Sequence, residues 1–197
     1  MPPKQKITKE ILLEHAYAIA EESGIQSVTS RSVAKRAGCS IQPVFSHFAT
    51  MEELRKETTD YTRMLFDKET LAFEQYPDFH LRVALWMFNL ARNRKNLYRM
   101  VYLSDFLKDN QLTDLMMSFQ VNERMLQQML KELGLPYEVC FSIFQRRWLL
   151  LYGIATLICV NHANLSDEQA LSILKRAQED TLQGAGNRIN QNNQEKR

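Results

Sequence analysis

The chain has 197 residues, 45% of them hydrophobic and 24% charged, and carries a net charge of +2. That length can bury a sizeable core without disulfides or metals, and the composition is that of an ordinary soluble globular protein. Three cysteines, Cys39, Cys140 and Cys159, form no CxxC pair and are odd in number, which argues against a disulfide framework or a zinc ribbon.

Isolated at apolar positions, these cysteines read as small core residues and favour a reducing compartment. Residues 1–10 are polar and basic, and the apolar stretch near residue 11 is broken by Glu14 and His15, so no signal peptide is expected. The longest apolar run, Trp148 to Val160, is shorter than the roughly 20 residues a bilayer span needs. A cytoplasmic protein without membrane association is the expectation. Residues 1–48 hold six Lys and Arg against four Asp and Glu, while the remaining charges balance. The positive excess thus lies in the first quarter.

Taken in order, the elements are all helical. The first helix is expected from about Thr8 to Ser23, with Leu12, Ala16, Ile19 and Ala20 on one side and Gly24 at its end. A short second helix follows Thr29, a good N-cap, and stops at Gly38. A very short third helix follows Ser40 as N-cap, with Pro43 in its first turn. Thr50 and Glu53 form a capping box opening a fourth helix, expected to run to Tyr76 before Pro77. Further helices are expected at 79–92, 95–108, 112–133, 137–162 and 167–182. Gly134 and Pro136 mark one boundary, and Ser166 with Gln169 makes a second capping box, Leu165 stapling against Ala170. Residues 184–197 are Gly/Asn/Gln-rich and read as a disordered tail.

The informative stretch is Thr29–Leu54. Two short helices around the turn Ala37-Gly38-Cys39-Ser40 form a helix-turn-helix pattern. Ala34 and Gly38 are small where two helices approach steeply, and Cys39 and Val44 are apolar where the unit faces its core. Such a motif lays its second helix in the major groove, with the N-terminal residues of that helix near base edges. Those residues are Ser40, Ile41, Gln42 and Pro43. Gln42 matches adenine bidentately, and Ile41 or Pro43 a thymine methyl. Arg31 can reach guanine or a phosphate. Lys6, Thr29, Lys35, Ser46 and His47 suit the phosphate backbone. Phe45 joins the DNA-facing set, although it also reads as core, as Phe48 does.

Over about the first 55 residues the chain resembles the DNA-binding domain of TetR-family regulators. Val33-Ala34, Ala37-Gly38-Cys39-Ser40, Val44-Phe45, His47-Phe48 and Leu54 carry the resemblance. Three positions depart from it. Phe45 stands where the family has a tyrosine that can bond a phosphate, Met51 where it has a lysine, and Gln42 where it often has a glycine. The resemblance implies an all-α protein: an N-terminal three-helix DNA-binding domain, residues 1–50, and a C-terminal helical ligand-binding and dimerisation domain, residues 51–183. It further implies a homodimeric repressor released from a palindromic double-stranded operator by a small molecule.

Within the body, Trp86, Met100, Tyr102, Phe106, Met116, Phe119, Met125, Phe144 and Trp148 are candidates for an apolar ligand pocket, each doubling as ordinary core. The ligand would be hydrophobic or amphipathic. Arg99, Arg146, Arg147 and His162 read as solvent-facing, with an anionic ligand group as their other use. The run Trp148–Ala155 is apolar on nearly every side and asks to be buried all round. Trp148, Leu151, Tyr152, Ala155, Ile158, Leu171 and Leu174 are therefore expected at a dimer interface. The resemblance also implies dimerisation through the last two helices. Residues 51–76 would act as the lever between pocket and DNA.

No HExxH, GxSxG, phosphate-binding glycine loop or dinucleotide fingerprint is present, so no enzymatic activity, cofactor or metal site is expected. The competing non-enzymatic readings are a helical protein-interaction module and a constitutive or protein-regulated DNA binder.

Overall fold

Helix starts are set by short polar side chains, and the positions of those caps fix where each element begins. Thr8 Oγ1 accepts from the Ile11 amide at 3.3 Å and opens α1 (Lys9–Ser23). Gly24, at φ +82°, ends α1 and leads through a 3-10 turn, Ile25–Ser27, to α2 (Ser30–Arg36). Thr29 and Ser32 cap α2 reciprocally: Thr29 Oγ1 accepts from the Ser32 amide at 3.1 Å, and the Thr29 amide donates to Ser32 Oγ at 2.9 Å. The expected capping box at Thr50 and Glu53 forms in altered register. Thr50 Oγ1 accepts from the Glu53 amide, but the Glu53 carboxylate reaches the Ala49 amide, at 2.6 Å. The Ser166–Gln169 box forms as expected, with bonds of 2.9 and 3.2 Å.

In this computed structural model, which describes residues 7–104 and 111–195, the elements after α2 are α3 (Gln42–His47), α4 (Met51–Leu71), α5 (Phe79–Asn93), α6 (Lys95–Tyr102), α7 (Leu112–Met117), α8 (Gln120–Leu133), α9 (Tyr137–Asn161) and α10 (Asp167–Glu195). No strand forms among the described residues.

Five boundaries differ from the sequence expectation. One is α6, which stops at Tyr102 with Leu103 as its cap where a helix to 108 is expected. α3 starts at Gln42, with Ile41 rather than Ser40 at the cap position and no side-chain cap bond. α4 stops at Leu71, five residues early. Its last turn tightens into i−3 bonds, Phe73 N to Thr70 O and Glu74 N to Leu71 O, ahead of Pro77. The single helix expected over 112–133 is two. Phe119 takes an extended conformation and is buried, while Asn122 Nδ2 donates to the freed Met116 carbonyl at 2.5 Å. α10 continues to Glu195, through residues expected to be unstructured. Extending an existing helix adds one hydrogen bond per residue fixed, which here works against the low helix propensity of Gly184, Gly186 and four asparagines.

The described residues divide into two compact units: 7–69 with 93–104, and 70–92 with 111–195. The expected boundary after residue 50 therefore falls inside the first unit, which takes in most of α4 and all of α6.

In the first unit, α1 packs on α2 and α6, and α2 on α3. Leu12, Ala16, Ala20, Val28, Val33, Val44, Phe48, Leu54 and Phe66 are buried there. α6 is anchored by Arg94, whose Nε lies 2.7 Å from Glu21 Oε1. The same guanidinium donates to the Tyr17 hydroxyl, sits 3.5 Å from Glu69 and stands 5.8 Å from the centre of the Phe66 ring. Asn96 Nδ2 adds a bond of 2.9 Å to the Glu21 carbonyl. On α4, Thr58, Thr59 and Thr62 are buried and donate to the carbonyls of Leu54, Arg55 and Thr58, at 2.7, 3.0 and 2.8 Å.

In the second unit, α7 packs on α8, α8 on α9 and α9 on α10. Met116, Leu126, Met129, Cys140, Ile143 and Phe144 form a core cluster. Arg92 ties α5 to the start of α10, donating to Asp167 at 2.9 Å and to the Leu165 carbonyl at 3.0 Å. The Arg82 guanidinium lies 4.0 Å over the Tyr76 ring and pairs with Asp78 at 2.7 Å.

Candidate nucleic-acid interface

α2 ends in a Schellman turn. The Cys39 amide donates to the Ala34 carbonyl at 3.0 Å and the Gly38 amide to the Lys35 carbonyl at 3.3 Å, with Gly38 at φ +66°. A Cβ added at Gly38 would meet open space. Glycine serves here for its backbone conformation and not, as its size suggested, for close helix approach. Ala34, by contrast, is buried between helices.

The turn orients α3 so that Val44 is buried together with Phe48, just past the helix end. The other face looks outward. Ser40, Ile41, Gln42, Phe45, Ser46 and His47 are exposed and Pro43 is half-buried. Phe45 is 51% exposed, which removes it from the core and leaves a large apolar ring on the same surface as Gln42. His47 stands edge-on to Phe48, ring centres 6.5 Å apart. The Ser46 hydroxyl donates to the Gln42 carbonyl at 3.0 Å.

Geometry separates the three cations of α2. Arg36 is engaged by Glu22 through two bonds of 2.7 and 2.8 Å, and its guanidinium holds the Glu22 carboxyl below the usual carboxylate range. Arg31 and Lys35 are exposed, and no described carboxylate pairs with either. Thr29 differs from its expected use. Its hydroxyl is taken by the α2 cap, accepting from the Ser32 amide and bonding Ser32 Oγ at 3.0 Å. Lys6 lies outside the described residues.

Three supporting contacts were not legible in the sequence. Met51, which stands in place of a cation, accepts the Ser30 amide on its Sδ at 3.3 Å, tying the start of α4 to the first turn of α2. Arg55 donates to the Val28 and Gln26 carbonyls, both at 3.2 Å. Lys9 pairs with Glu57, Nζ to Oε2 2.5 Å, and lies 5.4 Å from the centre of the Phe48 ring. These contacts fix α2 and α3 against α1 and α4, so the outward face is presented by rigid elements.

The pocket candidates are divided between the two units. Met100 and Tyr102 are buried on α6, in the first unit. Met116 and Phe144 belong to the core cluster of the second unit, with Met125 and Trp148 packed against it. Phe119 is buried and Trp86 half-buried on α5. Phe106 lies outside the described residues. A cleft in the second unit opens elsewhere, between α9 and α10, lined by Ile143, Arg146, Arg147, Leu174, Ala177, Gln178 and Thr181. Arg99, Arg146 and His162 are exposed as expected, but Arg147 is drawn in.

α9 is apolar enough and long enough to cross a membrane by composition alone, with a mean hydropathy of 1.3. Its residues nevertheless divide by face. Leu151, Ala155 and Ile158 are buried in the protomer's own core, as is Leu174 of α10. Leu149, Leu157 and Val160 of α9 and Ile173 of α10 are 42–52% exposed. Of the interface candidates, Leu151, Ala155, Ile158 and Leu174 are therefore covered already. Trp148, Tyr152 and Leu171 are half-buried, the first two with their rings stacked at 5.2 Å.

Residues 12–58 match the sequence model of the bacterial regulatory proteins of the tetR family. Among solved structures, the chain is similar to a TetR transcriptional regulator from Rhodococcus sp. RHA1. The two share 19% identity over 88% of this chain and 93% of that one, with a TM-score of 0.54. That likeness extends the agreement in fold beyond the head. No curated protein matches the chain.

Proposed function

From a head whose residues 12–58 match the model of the tetR family of bacterial regulatory proteins, we infer that this chain is a DNA-binding transcriptional regulator that works as a homodimeric repressor on a palindromic operator. One observation carries the reading: α3 buries Val44 and turns Gln42, Phe45, Ser46 and His47 outward, beside Arg31 and Lys35, with which no described carboxylate pairs. In this reading Gln42 and Arg31 meet base edges, and Ile41 and Pro43 meet thymine methyls. Lys35, Ser46 and His47 meet phosphates and set register. The Phe45 ring, which cannot bond a phosphate as a tyrosine would, covers sugar or a methyl group.

Pairing through α9 and α10 is supported by the exposed leucines and valine of α9. A two-fold dimer would present two recognition helices to half-sites about one helical turn, roughly 34 Å, apart. A small-molecule effector releases such a dimer only if it binds the DNA-competent and DNA-incompetent states with different affinity.

Selection of operators from random duplex DNA by the purified full chain tests the reading. The expected result is an inverted repeat whose binding weakens steeply with added salt, as counterions are released from contacted phosphates. Enrichment of no sequence, together with salt-insensitive binding, would count against it.

A further inference from the structure

The outward face of α3 carries more apolar surface than its polar residues suggest. Ile41 and Phe45 are 47% and 51% exposed, and among the described residues no other phenylalanine is exposed. The Phe45 amide donates to the Ile41 carbonyl at 3.2 Å, so the two side chains stand one helical turn apart on the same side. A single apolar residue at a surface is ordinary, but two neighbours on so short a helix make a ridge. The polar groups beside it are partly committed. The Ser46 hydroxyl donates to the Gln42 carbonyl at 3.0 Å, and the His47 ring stands edge-on to Phe48. Gln42 is exposed next to Ile41 in the chain, and the neighbouring α2 exposes Arg31 and Lys35, which favour a polyanion.

Such a ridge has few complements on a duplex. Phosphates and most base edges are polar, and an apolar side chain set against them strands their hydrogen bonding. The major groove offers one apolar group, the methyl on C5 of thymine. Methylation of cytosine at C5 places the same group at the same position of the ring.

We propose that Ile41 and Phe45 act together as a reader of the C5-methyl group of one operator pyrimidine, so that 5-methylcytosine can stand in for thymine there and cytosine methylation at that position strengthens binding. The proposal rests on the DNA-binding reading above and extends it from separate thymine contacts to a methyl-dependent site. The Phe45 ring face and the Ile41 branch cover the methyl, while Gln42 stays available to a neighbouring adenine. Loss of one covered methyl should weaken binding roughly fourfold, the worth of burying a single carbon.

Competition binding of the full chain to altered copies of the selected operator tests the reader. Deoxyuridine in place of thymine, one position at a time, keeps every hydrogen-bonding group and removes only the methyl. At one or two positions per half-site it is expected to weaken binding roughly fourfold. With a C·G pair at such a position, 5-methylcytosine is expected to bind more tightly than cytosine by the same factor. Phe45→Ala and Ile41→Ala should shrink both differences toward none, whereas Phe45→Tyr, which keeps the ring, should retain them. The uracil series uses the wild-type chain and decides the matter whether or not the variants fold. Thymine and uracil operators bound alike at every position overturn the proposal, as does a methyl response unaltered in the folded alanine variants. Alanine variants with unaltered operator binding and an altered oligomer mass overturn it too, since the ridge would then be a protein contact. An operator bound with no methyl response leaves the regulator reading intact and ends this one, while selection of no operator ends both.

Discussion

Helices α3 and α9 each bury one face in their own unit and leave the other outward, but they leave very different faces. The outward side of α3 carries glutamine, serine, histidine and one large ring beside two cations that no described carboxylate pairs. The outward side of α9 carries Leu149, Gly153, Leu157 and Val160 at helical spacing, joined by Ile173 of α10. A short helix with a mixed polar face suits a hydrated, charged surface such as a duplex groove. A long helix with leucines on both sides gains by being covered with more apolar surface. The contrast supports the proposal that one unit recognises DNA and the other self-associates, and each half of it can be broken separately.

The largest effect is expected from the apolar face. Leu149→Glu with Leu157→Glu should weaken self-association more than about a hundredfold, because charge would have to be buried at the contact. Sedimentation equilibrium checks it, and an unchanged dimer mass would move the pairing surface elsewhere. Next comes the polar face. Gln42→Ala or Arg31→Ala should relax base preference by about 1–3 kcal/mol at one operator position each, read by competition binding with substituted duplexes. Unchanged preference in both would dissolve the direct-readout half of the contrast.

A pH titration sharpens the account of the second unit. His80 is held neutral down to about pH 4, chiefly by burial and then by Arg147. Its folded pKa lies below the unfolded value, so the unfolded chain takes up the proton first. Its contribution to stability should be present above about pH 6.5 and decline as pH falls from there toward 4, and His80→Gln should flatten that limb in denaturant melts. The smallest effects test the scaffold that holds α3. Gly38→Ala forces a side chain into a left-handed backbone, and Thr29→Ala removes the α2 cap. Each should lower stability by about 1 kcal/mol, measured by chemical denaturation.

What could be read from sequence followed from how local the signal is. Thr8, Thr29, Thr50 and Ser166 announce helix starts because a cap and its partner lie within four residues. Ser40 looked equally suitable, yet the Schellman turn at Gly38 delays α3 until Gln42. The outward face of α3 was legible because its apolar positions are few. In α9 the apolar pattern surrounds the helix and has no phase, so nothing in it separates Leu151 and Ala155, which are buried, from Leu149 and Leu157, which are not. Arg94 and Arg147 were opaque for another reason. Their partners Glu21, Tyr17 and His80 lie 67 to 77 positions away in the chain, and only folding brings them together.

The threonines of α4 carry a consequence of their own. The carbonyls of Leu54, Arg55 and Thr58 are each claimed by a hydroxyl one turn later. Threonines that bond back in this way slightly bend and loosen a helix. Should a main-chain bond of that stretch lengthen, the carbonyl still keeps an acceptor role inside the core. The middle of α4 can therefore curve without stranding a polar atom, which makes it a pliable joint rather than a stiff rod.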